Sequence, residues 1–417
     1  MLDNDMIEFL TYRNAMKSNY RKGVHALRCI LNNRKQAETF AGSLGGVSLV
    51  LGVSQPDGNS EALRALLEGS AVIDQATLTW LKNWWPEECG SWDTLAADQG
   101  RCSTIATDPF LWERVGVSPV GAGKILAGLV GQDSRNFAAM QAVASSATAM
   151  QAVAVSPVAI AAIYRSDVAL SAVDSEVSAA ATFYGADSVA MGKAVVILAG
   201  LDPAGYADMS AVAASATAMS AVAANYVALV ALYSNAEALS TAQGTTVGAA
   251  ALAGAGSVAT GKAAVKLAGL DPDDFADMAA VAASSTAMAA VAASATARSA
   301  IAGSNAAREE LKKSPLIVEK TGIIPSDSTY WNSTGITLTS IKGVLIATSA
   351  GNSDNALTIL AIDDATLATD EQTRNAAPEN NSGYLSWIDS QPNYLWVRQK
   401  IRMAAYYTST KVKYIPC

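Results

Sequence analysis

The central part of the chain repeats itself at two nested periods. Met140, Met209 and Met278 are separated by 69 residues each time. The same step separates three glycine-lysine pairs, three aspartates and three aromatic residues: Gly123-Lys124, Gly192-Lys193, Gly261-Lys262, Asp133, Asp202, Asp271, Phe137, Tyr206 and Phe275. Repetition at a fixed step indicates an array of structural units rather than a single enzymatic core. Apolar residues recur in phase, which favours a folded array over disordered low-complexity sequence.

Inside each copy runs a ten-residue unit of the form M-x-A-V-A-x-S-x-x-A. Ten residues turn a straight α-helix by about 1000°, about 80° short of three turns, so one continuous helix would rotate its apolar stripe away from a flat partner. The sixth residue after the start of nearly every unit is of a type that favours helix N-caps. These predicted caps are Ser146, Ser156, Ser166, Ser215, Asn225, Asn235, Ser284, Ser294, Ser304 and Ser314. We therefore interpret each unit as a cap followed by a short helix that must stack on its neighbours.

A linking segment joins the copies and also repeats, at residues 188–209 and 257–278. Its glycine-lysine pairs are followed by Ile125, Ala194 and Ala263, not by the Ser or Thr that a phosphate-binding loop requires. The pattern predicts a longer helix that ends near Gly200 or Gly269 and then an Asp-Pro turn. Two irregular places, at Ser175 and at residues 244–246, are predicted corners of the array.

Changes in composition divide the chain into four regions, and they predict a multidomain α+β protein. Residues 1–45 form a helical N-terminal segment and residues 46–116 a compact Trp-rich section. Residues 117–315 form the array of short α-helices, a shaft or solenoid, and residues 316–417 a C-terminal β domain. The tryptophans of the second region are interpreted as core and interface anchors rather than a ligand cage. They are Trp80, Trp84, Trp85, Trp92 and Trp112.

The last hundred residues show alternation, β-branched residues and polar turns, which predict an all-β sandwich or jelly roll. The clearest strand runs over residues 394–403, with Leu395, Val397, Ile401 and Met403 on its core face. Its other face is aromatic and basic. This face consists of Tyr394, Trp396, Arg398, Lys400 and Arg402. Such a face suits sugar stacking and acidic groups, so it is a candidate receptor-binding surface. An ordinary solvated face or a subunit contact is the alternative.

Several functional classes find no support in the sequence. A formal net charge of -8 argues against a nucleic-acid partner. The absence of a run of 18 apolar residues argues against membrane insertion, and no secretory signal is visible at the N-terminus, which favours synthesis in the cytoplasm. His25 is the single histidine, so a catalytic triad would depend on it alone.

Metal, cofactor and disulfide chemistry is likewise not indicated. Four scattered cysteines are too few for a disulfide scaffold or a zinc site, although Cys89 and Cys102 remain either free thiols or a pair across a short loop. The acidic pairs Asp363-Asp364 and Asp370-Glu371 lack the alternating spacing of calcium ligands. We therefore predict no catalytic residue, no metal and no cofactor.

The repeat tracts AMQAVASSATAMQAV, DMSAVAASATAMSAV and DMAAVAASSTAMAAVAASATARSAI resemble the Ala/Ser/Thr-rich repeats of bacteriophage tail fibre and other virion fibre proteins. The resemblance covers residues 118–310, less than half of the chain. It implies an N-terminal part that attaches to other virion proteins, a repetitive shaft, and a C-terminal β domain that contacts a host-surface glycan or protein. It also implies a homotrimer located in the virion.

These expectations define a leading hypothesis and three alternatives. The leading hypothesis is a non-enzymatic virion fibre protein with host recognition at its C-terminal end. A head or collar fibre, or a decoration protein, would have a purely structural role. A tailspike-type depolymerase would need a β-helix with carboxylates in a groove, and the helical repeats argue against it. A bacterial surface adhesin would need an export signal.

Overall fold

The computed structural model describes residues 71–322 and eight shorter segments of the C-terminal region. These segments are residues 336–338, 343–350, 357–362, 372–376, 385–386, 396–397, 400–404 and 410–417. The predicted helical segment 1–45 with His25, as well as Tyr394, Arg398 and the two acidic pairs, lies outside the described residues.

The described part of the chain is mostly helical, with 71% of it in 21 helices. The helices, here α1–α21, are Ala71–Leu81, Trp92–Ala96, Gln99–Thr107, Pro109–Val115, Pro119–Leu129, Met140–Ala144, Ala147–Ala154, Pro157–Tyr164, Asp167–Asp174, Val177–Tyr184, Ser188–Leu198, Met209–Ala214, Ala216–Ala224, Tyr226–Ser234, Ala236–Gln243, Thr246–Ala253, Ser257–Leu267, Met278–Ala283, Ser285–Ala293, Ala295–Gly303 and Asn305–Lys312. Three 3₁₀ turns, Ser134–Asn136, Pro203–Gly205 and Pro272–Asp274, follow the long helices α5, α11 and α17. Each complete copy therefore contains one long helix, a 3₁₀ turn and five short helices.

The helices end at the residues that local chemistry dictates. The long helices α5, α11 and α17 are followed by Gly131, Gly200 and Gly269, whose φ angles are 73°, 79° and 78°. Side chains with a Cβ rarely adopt this left-handed conformation, so glycine terminates each helix and turns the chain. Asp202 and Asp271 then cap the 3₁₀ turns through their Oδ1 atoms.

Contacts divide the chain into two compact units. The first contains the described residues up to Ala218 together with Asn235–Ala242, and the second contains Met219–Ser234 and the described residues from Gln243 onward. In the first unit α6 packs against α9, α7 against α10, and α8 against α11. In the second unit α14 packs against α17, α17 against α20, and α18 against α21. A helix therefore packs against the third helix after it, and the Met and Val residues of the ten-residue units fill the space between them.

The nine strands β1–β9 are Val318–Gly322, Ile336–Leu338, Gly343–Ala350, Leu357–Ile362, Gln372–Ala376, Leu385–Ser386, Trp396–Val397, Lys400–Ala404 and Thr410–Pro416. β9 lies antiparallel between β1 and β3, and β6 and β7 also pair with β3. β8 lies between β2 and β4, and β4 pairs with β5. In the second unit Val344, Tyr414 and Ile415 are buried with the Met and Val residues of the third copy.

The predicted fold class, a multidomain α+β protein with an all-β C-terminal sandwich, is wrong. Helices dominate the described residues, and no all-β sandwich is evident among them. Tyr414 and Ile415 of β9 are buried in one cluster with residues from the helices of the third copy. Alternating residues identify a half-buried strand, but they do not identify whether a sheet or a helix covers its buried face.

Hydropathy along the helices gives a limited result. Within the described ranges, no single helix is long and apolar enough to cross a membrane, although three bent helix pairs meet the length and composition test together.

Candidate functional sites

The glycine of each glycine-lysine pair lies where the long helix crosses the start of a short helix. A Cβ at Gly192 would lie 2.4 Å from the Met209 nitrogen, and one at Gly261 would lie 2.4 Å from the Met278 nitrogen. Gly123 lies in the same way against the Met140 nitrogen, also at 2.4 Å. No larger residue fits against backbone at this distance. The 69-residue step that relates these glycines to the methionines is therefore a packing requirement.

Two of the three lysines of these pairs, Lys124 and Lys262, are held by intramolecular contacts. Lys124 is 8% exposed, and its Nζ donates to Asp93 Oδ1 at 2.8 Å and to the Ser134 carbonyl at 3.0 Å. Burial opposes ionisation of Asp93, but hydrogen bonds from Lys124 and Ser134 outweigh it and lower the pKa of that carboxyl. Lys262 Nζ lies 2.9 Å from Asp273 Oδ1 and 5.7 Å from the centre of the Tyr226 ring. These contacts give the lysines an architectural role.

Nine of the ten predicted caps lie directly before a helix, and each accepts a backbone hydrogen bond from that helix. The serine Oγ atoms accept from the third residue after them at 3.0–3.3 Å, as Ser166 does from Ala169 and Ser146 does from Ala149. Asn225 and Asn235 accept through Oδ1. The remaining cap contacts are those of Ser156, Ser215, Ser284, Ser294 and Ser304.

Ser314 differs from the other nine predicted caps. Its Oγ accepts from the Leu316 nitrogen at 3.1 Å, but a turn and then β1 follow it instead of a helix. The hydroxyl also donates to the Ala282 carbonyl. The prediction that Ser314 begins a helix is therefore wrong. Pro315, which suits the first position of a helix equally well as a turn, explains the ambiguity.

Four of the nine helix caps also donate a hydrogen bond to a backbone carbonyl at or near the end of another helix. Ser166 Oγ donates to the Gly116 carbonyl at 2.6 Å, and Ser304 Oγ donates to the Ala255 carbonyl at 2.8 Å. Asn235 Nδ2 donates to the Tyr184 and Ala186 carbonyls, both at 3.0 Å. Ser294 Oγ donates to the Leu267 carbonyl at 2.8 Å. One side chain thus begins its own helix and fastens a neighbouring helix end.

Some helix caps lie at positions that the ten-residue pattern does not predict. Thr245 caps α16, although residues 244–246 were expected to form a corner, and Glu176 precedes α10 without a side-chain bond. Asp208 and Asp277 cap the methionine helices α12 and α18 through their Oδ1 atoms. The signal for these last two was present in the sequence, since each Asp directly precedes Met209 or Met278.

Four of the five predicted anchor tryptophans fall into two groups. Trp92 and Trp112 are buried, and their Nε1 atoms donate to Asp74 Oδ1 at 3.0 Å and to the Ala162 carbonyl at 2.7 Å. Trp80 instead packs against Trp84 and Phe110, with ring centres 4.6 and 5.6 Å apart. The rings of this second group touch one another, so they leave no space for a ligand between them.

The cysteines of this section are unpaired. Cys89 and Cys102 are both free and buried. Burial raises the pKa of the Cys89 thiol and raises that of Cys102 to about 12. Both thiols therefore remain protonated near neutral pH, which makes them poor nucleophiles and poor metal ligands.

The candidate receptor-binding face does not lie on one strand. Trp396 lies in β7 and pairs with Val344 of β3. Lys400 and Arg402 lie in β8, where Arg402 pairs with Thr337 of β2, in the other sheet. The predicted strand 394–403 thus contains two described strands, β7 and β8, that pair in different sheets. The backbone places Lys400 and Arg402 together on one strand, two residues apart, and places Trp396 elsewhere.

A shallow surface depression of about 560 Å³ lies in the first unit at the end of α11. Its polar residues include Asp202 and Ser215. Asp202 Oδ1 accepts from the Ala204 nitrogen at 2.9 Å, and Ser215 Oγ accepts from the Ala218 nitrogen at 3.2 Å. Both side chains thus serve as caps. Across the described side chains, no group of three or more His, Cys, Asp or Glu residues is placed to hold a metal ion.

No protein-family model matches the chain, and no curated protein matches it.

Proposed function

We propose that this chain is a non-enzymatic structural protein of a virion fibre, in which the helical array separates the two ends of the chain. The observation that carries the proposal is the use of the repeated polar residues. Lys124, Lys262, Ser166, Asn235 and Ser304 each bind another part of the same chain. A repeated site for a ligand would leave such groups available, whereas a scaffold uses them to fix its own helices.

The resemblance of the repeat tracts to virion fibre repeats supplies the biological setting of this proposal. Under it, the N-terminal region contacts other virion proteins, the chain forms a homotrimer, and the C-terminal region contacts a host-surface glycan or protein. The proposal includes no nucleic-acid partner and no membrane insertion. Trp396, Arg398, Lys400, Arg402 and Tyr394 remain the proposed receptor contacts.

The proposal can be tested on purified particles of the virus whose genome encodes the chain. Mass spectrometry of the particles should detect the chain, and gold-labelled antibodies against it should mark a projecting fibre in electron micrographs. Detection only in the soluble lysate would contradict the proposal. Sedimentation velocity of the purified full chain should give the mass of a trimer, and a monomer would contradict that part.

A purely structural head or collar fibre is the second candidate. The division of the predicted receptor face between β7 and β8 favours it, because Trp396 does not share a strand with Lys400 and Arg402. Particles that carry Trp396→Ala and Arg398→Ala distinguish the two candidates. Loss of host adsorption with unchanged particle assembly would support the receptor role, and retained adsorption would favour the structural role.

A further inference from the structure

The same helix pairs recur in the two units at positions one or two 69-residue steps apart. In the first unit α8 packs against the long helix α11, and in the second unit α14 packs against the long helix α17. The pair α6 and α9 in the first unit likewise corresponds to α18 and α21 in the second. The surface that a long helix presents to the preceding copy is therefore the same in both units.

The hydrogen bonds between these helices follow the same step. Asn235 in the first unit donates to the Ala186 carbonyl, and Ser304 in the second unit donates to the Ala255 carbonyl. Both donors and both acceptors are 69 residues apart. An amide in one copy and a hydroxyl in the next thus make equivalent contacts. The position is fixed by the repeat, while the chemical group that fills it is exchangeable.

The segment before the first copy provides a similar acceptor, one residue earlier in the repeat than Ala186 and Ala255. Ser166 lies 69 residues before Asn235, and its Oγ donates to the carbonyl of Gly116, the residue that ends α4. Gly116, Gly185 and Gly254 follow the 69-residue step, and all three end a short helix. The helix α4 therefore takes the place that α10 and α16 have in complete copies. The first copy, which has no preceding copy, therefore packs against α4 in place of the last short helix of one.

We propose that the 69-residue copy is an interchangeable module whose surface fits another copy of the same unit, so that the number of copies can change without a change of fold. The module is the set of six helices, not the ten-residue unit, because the bonds from Asn235 and Ser304 reach back 49 residues, much further than one ten-residue unit. This inference rests on the proposed function, in which the helical array separates the two ends of the chain. The number of copies would then set the length of the array.

Deletion of residues 188–256 from the full chain tests the inference. It joins Asp187 to Ser257, so that α17 takes the position of α11 against α8. We expect a single cooperative thermal transition by circular dichroism, with a midpoint within about 5 °C of that of the full chain. A second variant that repeats residues 188–256 after Gly256 should behave in the same way.

A deletion of residues 188–246 is the matched control. It removes ten residues fewer and keeps the Asp187 cap, but it shifts every later helix by one ten-residue unit relative to its partners. We expect this variant to lose the cooperative transition. Equal folding of the two deletions would overturn the inference and make the ten-residue unit the module, and failure of both the first deletion and the duplication would overturn it outright. Because melting does not depend on the location of the protein in a particle, failure of the virion proposal would be seen separately.

Discussion

The second and third copies differ in an instructive way at the point where the long helix crosses the methionine helix. Gly192 in α11 and Gly261 in α17 have the same surroundings, each 2.4 Å from a methionine nitrogen if a Cβ is added. The lysines that follow these two glycines do not have the same surroundings. Lys262 pairs with Asp273, whereas the second copy has Ala204 at the position of Asp273.

This difference separates two kinds of constraint on a repeated sequence. A close backbone crossing tolerates one residue type, because any side chain would have to displace main-chain atoms. A partly exposed ion pair contributes little free energy, so its loss in one copy is tolerated. We therefore expect substitutions at the crossing to have large effects, those at the caps to have intermediate effects, and those at the lysine pairs to have small ones.

Gly192→Ala should cause the largest loss of stability. The new methyl group would overlap the Met209 nitrogen and the Asp208 carbonyl carbon, which are 2.4 and 2.6 Å away. We expect the free energy of unfolding to fall by about 3 kcal/mol or more, measured by chemical denaturation. Gly205→Ala is the control, because nothing lies within 4 Å of its added Cβ, and it should change stability by less than about 0.5 kcal/mol. Equal effects of the two substitutions would disprove the crossing argument.

The caps of the third copy should separate into two classes. Ser284 only accepts from the Ala287 nitrogen, so Ser284→Ala should cost about 1 kcal/mol. Ser304 is 1% exposed and also donates to the buried Ala255 carbonyl, so Ser304→Ala should cost about 2–4 kcal/mol. Denaturation of the two single variants measures the difference. Equal losses would show that the second bond of Ser304 contributes nothing.

The first role of the caps could be predicted from the sequence, and the second could not. A Ser or Asn at every tenth position predicts where helices begin, because capping is local chemistry within three residues. The bond from Ser304 to Ala255 joins residues 49 positions apart, and the sequence does not state which helix end lies beside which cap. That information depends on packing against the third helix along the chain.

The glycines and the C-terminal strands show the same limit. The sequence excludes a phosphate loop at Gly192-Lys193 and predicts the glycine that ends the helix, but the crossing at Met209 requires knowledge of a neighbouring element. In the C-terminal region, alternation indicates strands, but the prediction of a sandwich was wrong. Ile415 and Tyr414 lie in the core of the third helical copy, and no pattern within β9 distinguishes a helical cover from a second sheet.

Thr260→Val should stabilise the protein. The Thr260 hydroxyl lies in α17, is buried at 2% exposure and has no hydrogen-bond partner, while the equivalent residue of the second copy is Met191. Replacement of the hydroxyl by a methyl group of similar volume removes an unsatisfied buried group, so stability should rise by about 1 kcal/mol. Thr286→Val, at an exposed position of the same copy, should have little effect. A loss of stability at position 260 would mean that the hydroxyl is bonded.

Ala204→Asp should have the smallest effect, because it restores to the second copy the ion pair of the third. Lys262 and Asp273 lie 2.9 Å apart, and their side chains remain 22% and 39% exposed, so solvent screens their attraction. We expect the new carboxylate near Lys193 to raise the free energy of unfolding by less than about 1 kcal/mol.

Salt dependence and a neutral variant identify the source of that gain. Ala204→Asn has nearly the same shape as Ala204→Asp but no charge, so it should not produce the gain. A gain that comes from the pair should shrink as ionic strength rises from low salt to about 1 M, where screening shortens electrostatic range to about 3 Å. Asp273→Asn in the third copy should lose a similar amount with the same salt dependence. A gain that is insensitive to salt would instead indicate that the new side chain caps the turn that begins at Pro203. The second and third copies would then differ in the capping of this turn as well as in the ion pair.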